Sequence, residues 1–192
     1  MADTDKIRNI VLLGHGGSGK TSLAEAILHK TDASNRLGSV DDKTSICDYY
    51  DEEKAHQHSI QSAIVHCQYN SKTINIIDTP GYPDFIGPSI KAVSAAETAV
   101  LVISASAGIE TNTRRFFELT TQANMPRLIV INRIDAENID FEQLIKNIRE
   151  TFGPQCRFAN LPTADRSSVI DCVENQTGDC PFANVADAHT EL

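Results

Sequence analysis

Residues Gly14-His15-Gly16-Gly17-Ser18-Gly19-Lys20-Thr21 satisfy the pattern G-x-x-x-x-G-K-[ST], and they stand between an apolar run and a helical run. No other stretch constrains the fold as strongly. Ile7 to Leu13, with Ile7, Ile10, Val11, Leu12 and Leu13, reads as a buried parallel strand. Thr21 to His29 places Leu23, Ala24, Ile27 and Leu28 on one helical face. A glycine-rich turn between strand and helix lets the backbone curl until several N–H groups face one anion, at the positive end of the helix dipole. The motif implies a phosphate-binding loop with Gly14, His15, Gly16, Gly17, Ser18 and Gly19 as its cradle. Lys20 is expected to reach the β- and γ-phosphates of a nucleotide, and the hydroxyl of Thr21 to ligate Mg²⁺. The loop alone leaves the base and any chemistry open.

Downstream, Thr31 to His58 is rich in Asp, Lys, Ser and His without periodicity and reads as a long mobile loop. Ile60 to Tyr69 and Thr73 to Ile77 read as a hairpin across Asn70-Ser71-Lys72. Further strands are expected at Ala99 to Ile103, Leu128 to Ile131 and Arg157 to Leu161, with helices around Ser89 to Ala96, Thr111 to Ala123 and Phe141 to Phe152. Asp140 with Gln143 marks a start for the last of these helices. Beyond Leu161, Val169 to Val173 reads as a strand and Ala183 to Leu192 as a helix. Strands alternating with helices indicate an α/β P-loop NTPase fold, a doubly wound and mainly parallel sheet with helices on both faces. In such sheets ligands collect at the carboxyl ends of the strands, where the phosphate loop, Asp78 and the Asn132 loop all fall.

The length, 192 residues, suffices for one good core. With 26 acidic against 17 basic residues, a formal charge of −9 argues against holding nucleic acid through the general field of this segment. The N-terminus, Met1-Ala2-Asp3-Thr4-Asp5-Lys6, is acidic and polar, and no apolar stretch approaches a membrane span or a signal-sequence core, so the cytoplasm is the expected location. Cys47, Cys67, Cys156, Cys172 and Cys180 contain no C-x-x-C pair and read as reduced thiols. His56 with His58, and His66 beside Cys67, do not complete a tetrahedral metal set.

Two more loops carry chemistry. Asp78-Thr79-Pro80-Gly81 closes an apolar strand, which stations Asp78 to hold Mg²⁺ through water and the Gly81 N–H to touch a γ-phosphate. Pro-Gly is also a common turn pair, so the phosphate loop is what gives this reading its weight. Asn132-Arg133-Ile134-Asp135 follows the strand Leu128 to Ile131. A carboxylate such as Asp135 accepts two hydrogen bonds from adjacent guanine N–H groups, and the adenine edge offers no such pair. Asn132 is expected to bind the base and brace the phosphate loop, and the stem of Arg133 to cover the base.

On GHGGSGKT, INIIDTPGYPDF (Ile74 to Phe85), SASAGIE (Ser104 to Glu110) and INRID (Ile131 to Asp135), the chain resembles the translational GTPases of the elongation-factor-G-like kind, from about Ile7 to at least Phe152. The resemblance implies GTP/GDP and Mg²⁺ as ligands, the ribosome as partner, and GTP hydrolysis with Lys20, Gly81 and Tyr82 at the reacting phosphate. It implies a GTP-binding domain over residues 1–157, incomplete on its C-terminal side, and the start of the inserted subdomain over 158–192. Ser39 to Ser62 corresponds to the first switch and Asp78 to Tyr82 to the second. Ser59 stands where the family carries a Mg²⁺-binding threonine, and Arg133 replaces the lysine of N-K-x-D. No S-A-K-like element follows a late strand, which implies a truncated domain.

Tyr82 replaces the histidine of D-T-P-G-H, which helps position the attacking water. A phenol with a reference pKa of about 10 supplies no imidazolium charge at neutral pH, so slow or activator-dependent turnover is expected. Two alternatives accompany the GTPase reading: a GTP-dependent binding module with little hydrolysis, and a P-loop ATPase or small-molecule kinase.

Overall fold

The computed structural model describes residues 4–192, so the first three residues of the acidic N-terminus lie outside it. The chain forms two compact units, the first comprising the chain through Ser104 together with Glu110–Asn132, the second Ala105–Ile109 with Arg133–Leu192.

The first unit is built on a five-stranded sheet of β1 (Ile7–Leu13), β2 (Ala63–Tyr69), β3 (Lys72–Asp78), β4 (Thr98–Ser104) and β5 (Arg127–Asn132), in the order β2-β3-β1-β4-β5. β1 pairs in parallel with β3 and β4, and β4 with β5, while β2 is antiparallel to β3. The hairpin turns on Asn70 and Ser71, both at positive φ (46° and 60°), the handedness that matches the twist of the flanking strands. Lys72 already belongs to the strand.

Alternate residues of the central strands face opposite layers, because side chains in a strand alternate. Val11, Leu13, Ala99 and Leu101 pack with Ala92 and Val93 of α3 (Ile86–Val93) and Phe116 of α4 (Thr111–Gln122). Leu12, Ile76, Val100 and Val102 pack with Ala24 and Leu28 of α1 (Lys20–Lys30). The continuous apolar strands and the one-sided apolar faces of the helices thus resolve into a layer on each side of the sheet.

Segment 31–62 departs from the sequence reading, which made Thr31 to His58 a mobile loop and began the next strand at Ile60, whereas β2 begins at Ala63. The segment contains a short helix, α2 (Asp51–His56), and it buries Ser45, Cys47, Asp48 and Glu53. Its lack of periodicity reflects attachment through polar side chains rather than through an apolar stripe.

The second unit holds α5 (Phe141–Phe152), a two-stranded antiparallel sheet of β6 (Asn160–Pro162) and β7 (Val169–Asp171), and α6 (Val185–Glu191). The Asp140 carboxylate caps α5 by accepting from the Gln143 N–H at 2.9 Å. The late strand read at Arg157 to Leu161 shrinks to β6 and does not extend the parallel sheet. Leu161 instead packs into a small core with Cys172, Val185 and Ala188, which takes the apolar residues a longer strand would have presented.

Candidate nucleotide site

The phosphate loop begins where β1 ends and closes into α1. Ser18 N–H donates to His15 O at 3.3 Å and Leu23 N–H to Gly19 O at 2.9 Å. Gly19, the N-cap of α1, has φ 90°, and a Cβ there would collide with Asn132 Nδ2. The glycine therefore permits both the turn and the approach of the Asn132 amide, which donates to Ser18 O at 3.1 Å and to Gly19 O at 3.5 Å. The Asn132 amide thus ties the end of β5 to the loop.

Lys20 is buried and its Nζ donates to Gly14 O at 3.0 Å and His15 O at 2.9 Å, so its ammonium lies curled within the loop. Thr21 Oγ1 donates to Asp78 Oδ2 at 2.6 Å. Asp78 terminates β3 directly opposite Leu12, and the Thr79 hydroxyl secures that strand end through Leu12 O at 2.6 Å. Gly81 lies against the loop: a Cβ on it would stand 2.6 Å from Gly16 N and 2.5 Å from Lys20 Nζ. Ser89 Oγ donates to Pro80 O at 2.9 Å, and Asn112 Nδ2 to Gly81 O at 2.7 Å. Those last hydroxyl and amide contacts fix the turn, and nothing in the local sequence singles out Ser89 or Asn112.

Tyr82 is 42% exposed, and its ring lies over Gly16, with Cε2 2.8 Å from where a Cβ at Gly16 would be. The His58 ring flanks it with centroids 4.9 Å apart, and Phe85 stacks on His58 at 6.0 Å. Ser59 Oγ sits 3.4 Å from Thr21 Oγ1 and donates to Asp48 Oδ1 at 2.8 Å. Ser59, which the resemblance matches to a Mg²⁺-binding threonine, is thus beside Thr21 in space. Asp48 joins the site without a sequence signal, because a lone Asp in a polar segment carries none. His15 Nε2 meets Glu110 Oε1 at 3.2 Å, another long-range pairing invisible in the pattern.

Burial dominates the electrostatics. It lowers Lys20 to a pKa of about 8, against the attraction of Asp78 and Glu110. It raises Asp78 to about 6, against the Thr21 hydrogen bond and the Lys20 charge. Burial also raises Asp48, against its hydrogen bond from Ser59. At neutral pH the site thus confines a cation and a carboxylate that both lack the solvation they would have in water.

Several buried polar atoms have no hydrogen-bond partner: His15 Nδ1, Ser18 Oγ and Asp78 Oδ1. Orphaned polar atoms in a concave loop are what a bound polar group satisfies. The oxygen donors at Thr21, Ser59 and Asp78 suit a hard dication that keeps part of its water. The residues present therefore fit a phosphate group with Mg²⁺.

Of the segment Asn132-Arg133-Ile134-Asp135, Asn132 belongs to the first unit. Arg133 and Asp135 belong to the second, where both are exposed and Ala136 N–H closes a turn on Arg133 O at 3.2 Å.

Residues 5–188 match the family described as Elongation factor Tu GTP binding domain. The chain is 34% identical to an elongation factor G-like protein of Mycobacterium tuberculosis over 83% of this chain and 22% of that protein. It is 34% identical to elongation factor G of Fervidobacterium nodosum over 90% of this chain and 25% of that one. With the mitochondrial ribosome-releasing factor 2 of Scheffersomyces stipitis the identity is 30%, over 98% and 21%. A solved crystal structure from Thermus thermophilus superposes with a TM-score of 0.85 at 30% identity, covering 97% of this chain and 30% of that one. The chain thus spans about a fifth to a quarter of the length of these curated relatives. With the phosphate loop, the Asp78 strand end and the Asn132 brace in one sheet, the chain belongs to the translational GTPases, as an elongation-factor-G-like GTP-binding domain.

Proposed function

We propose that this domain binds GTP with Mg²⁺ and hydrolyses it to GDP and phosphate in association with the ribosome. The observation that carries the reading is the joining of Lys20, Thr21, Ser59, Asp78 and Gly81 around the Gly14–Thr21 loop, with orphaned polar atoms at Ser18 and Asp78. Thr21, Ser59 and Asp78 would hold Mg²⁺, which would supply charge neutralisation for the phosphates. The Lys20 ammonium is available to phosphate oxygens by exchanging its two backbone carbonyls, and Gly81 and the Tyr82 ring border the same loop. Asp135 accepts the guanine N–H pair, with the Arg133 stem over the base. Residues 158–192 begin the subdomain inserted in elongation factor G. The expected compartment is the cytoplasm, and the relative named ribosome-releasing factor supports the ribosome as partner.

Titration with GTP, GDP and ATP, with and without Mg²⁺, tests the ligand set. Asp135→Asn should shift preference from guanine to xanthine nucleotides; an unchanged preference removes Asp135 from the pocket. A second reading, a GTP-dependent binding module with little hydrolysis, is favoured by Tyr82, whose ring occupies the face of Gly16 and carries no imidazole. Tyr82→His should raise single-turnover hydrolysis on ribosomes by roughly 10²-fold if the aromatic swap is what slows the reaction. No gain would show that Tyr82 does not limit turnover.

A further inference from the structure

We propose that Glu25 is a positioning residue of this site, the anchor that docks residues 38–47 on the phosphate-loop helix and so sets Asp48 and Ser59 beside Thr21. The inference rests on the nucleotide and Mg²⁺ reading above.

Glu25 lies four residues after Thr21 on α1, on the same helical face, and is 0% exposed. Its Oε1 accepts from Ser45 Oγ at 2.8 Å, Ile46 N–H at 2.5 Å and Cys47 N–H at 3.4 Å. Its Oε2 is buried without a partner, and Gly38 passes so close that a Cβ there would collide with it. Cys47, held by this contact, packs beside Ala24 and Leu28. The next residue, Asp48, accepts from Ser59, whose hydroxyl lies 3.4 Å from Thr21 Oγ1. A closed circuit results: Thr21, one turn of helix, Glu25, residues 45–47, Asp48, Ser59, and Thr21 again.

The carboxylate form matters to this circuit. Donors converge on one oxygen from Ser45, Ile46 and Cys47, and hydrogen bonds to an ionised acceptor are about twice as strong as neutral ones. No Lys or Arg side chain pairs with Glu25 among the described residues, so only the docked segment compensates its burial. When the segment leaves, water solvates the carboxylate; when it docks, all the donors must arrive together. That makes docking cooperative, and it ties the positions of Asp48 and Ser59 to the helix that carries Lys20 and Thr21.

The test measures GDP release from the full chain in Mg²⁺ and after EDTA, for wild type, Glu25→Gln, Glu25→Ala and Gly38→Ala. The last variant keeps the carboxylate and pushes the segment away from it. In Glu25→Ala and Gly38→Ala the slowing of release by Mg²⁺ should shrink about tenfold, with Glu25→Gln between them and wild type, as for loss of a group that orients a metal ligand. Release in EDTA should stay within about twofold of wild type, and trypsin should cut sooner at Arg36 and Lys43, because undocking bares that segment. A purely structural role predicts faster release in EDTA as well, and that result overturns the proposal. If wild type responds to Mg²⁺ and both Glu25→Ala and Gly38→Ala respond equally, the inference fails alone. If wild-type release ignores Mg²⁺, the nucleotide reading fails and takes the inference with it.

Discussion

The phosphate loop and segment 31–62 meet at Thr21 and Ser59, yet they are held in opposite ways. The loop is shaped by local backbone: glycines, one helix start, and a lysine that turns back on Gly14 O and His15 O. The segment has little regular structure beyond α2 and is fastened by side chains, one of them, Glu25, from outside it and the others from within it. Glu25 takes its first part, Asp48 and Ser59 join its middle, and Glu53 takes its end by accepting from Tyr50 N–H at 3.2 Å, Ile60 N–H at 2.8 Å and Gln61 N–H at 3.0 Å. A region fixed by backbone geometry has few ways to rearrange. One fixed by donors converging on buried carboxylates rests on contacts that water can replace when the segment opens. That contrast suits the proposed division between a rigid phosphate cradle and a switch.

The contrast breaks most severely at Lys20. Lys20→Ala should lower GTP affinity and turnover by about 10³-fold while leaving the segment docked, read by nucleotide titration alongside protease sensitivity. Equal protection with and without the lysine keeps the two regions separable; loss of both makes them one structure.

Asp78→Asn is the next test. The variant should reduce Mg²⁺-dependent nucleotide retention by about 10- to 100-fold, and at the same time stabilise the nucleotide-free protein by about 1 to 3 kcal/mol at pH 7. The sign follows from the raised pKa. Between the ordinary value of 3.8 and about 6 the folded state binds more protons at Asp78 than the unfolded state does, so stability falls as pH rises through that window and the deficit is complete above it. Lys20 acts in the other direction at higher pH: its pKa of about 8 lies below the ordinary 10.5, so stability rises as pH climbs through that interval. Melting curves of wild type and Asp78→Asn from about pH 4 to pH 7 should therefore diverge with increasing pH. Parallel curves would mean that Asp78 is not desolvated as its burial implies.

The smallest effect belongs to Glu53→Ala. It leaves the N–H groups of Tyr50, Ile60 and Gln61 without their acceptor, and should cost about 1 to 3 kcal/mol of local stability, read as hydrogen exchange at those amides. Binding of nucleotide without Mg²⁺ should change little. A large change there would show that the segment, and not only the loop, holds the phosphates.

How legible each region was follows from the same contrast. The strand Ile7–Leu13, the turn into α1 and the α5 cap at Asp140 could be read because their signals lie within one or two helical turns of sequence. β2 and β3 announced themselves by β-favouring residues on either side of a polar turn. Thr31 to His58 read as a mobile loop because its docking depends on Glu25, which lies 20 positions before its partner Ser45. The strand read at 157–161 was misplaced because a short apolar run does not say which core it joins, and Leu161 joined that of the second unit.

The sequence by itself determined the fold class, the phosphate loop and the family, since glycine spacing and strand–helix alternation act through near neighbours on the chain. Only the tertiary structure decided that Ser59 stands beside Thr21, that Tyr82 lies on Gly16, that Asn112 and Ser89 hold the second turn, and that Glu25 and Glu53 are buried. A carboxylate in a polar segment looks like a solvated surface group until the fold removes the water around it. Burial then turns its charge into the strongest constraint on whatever N–H groups lie within reach.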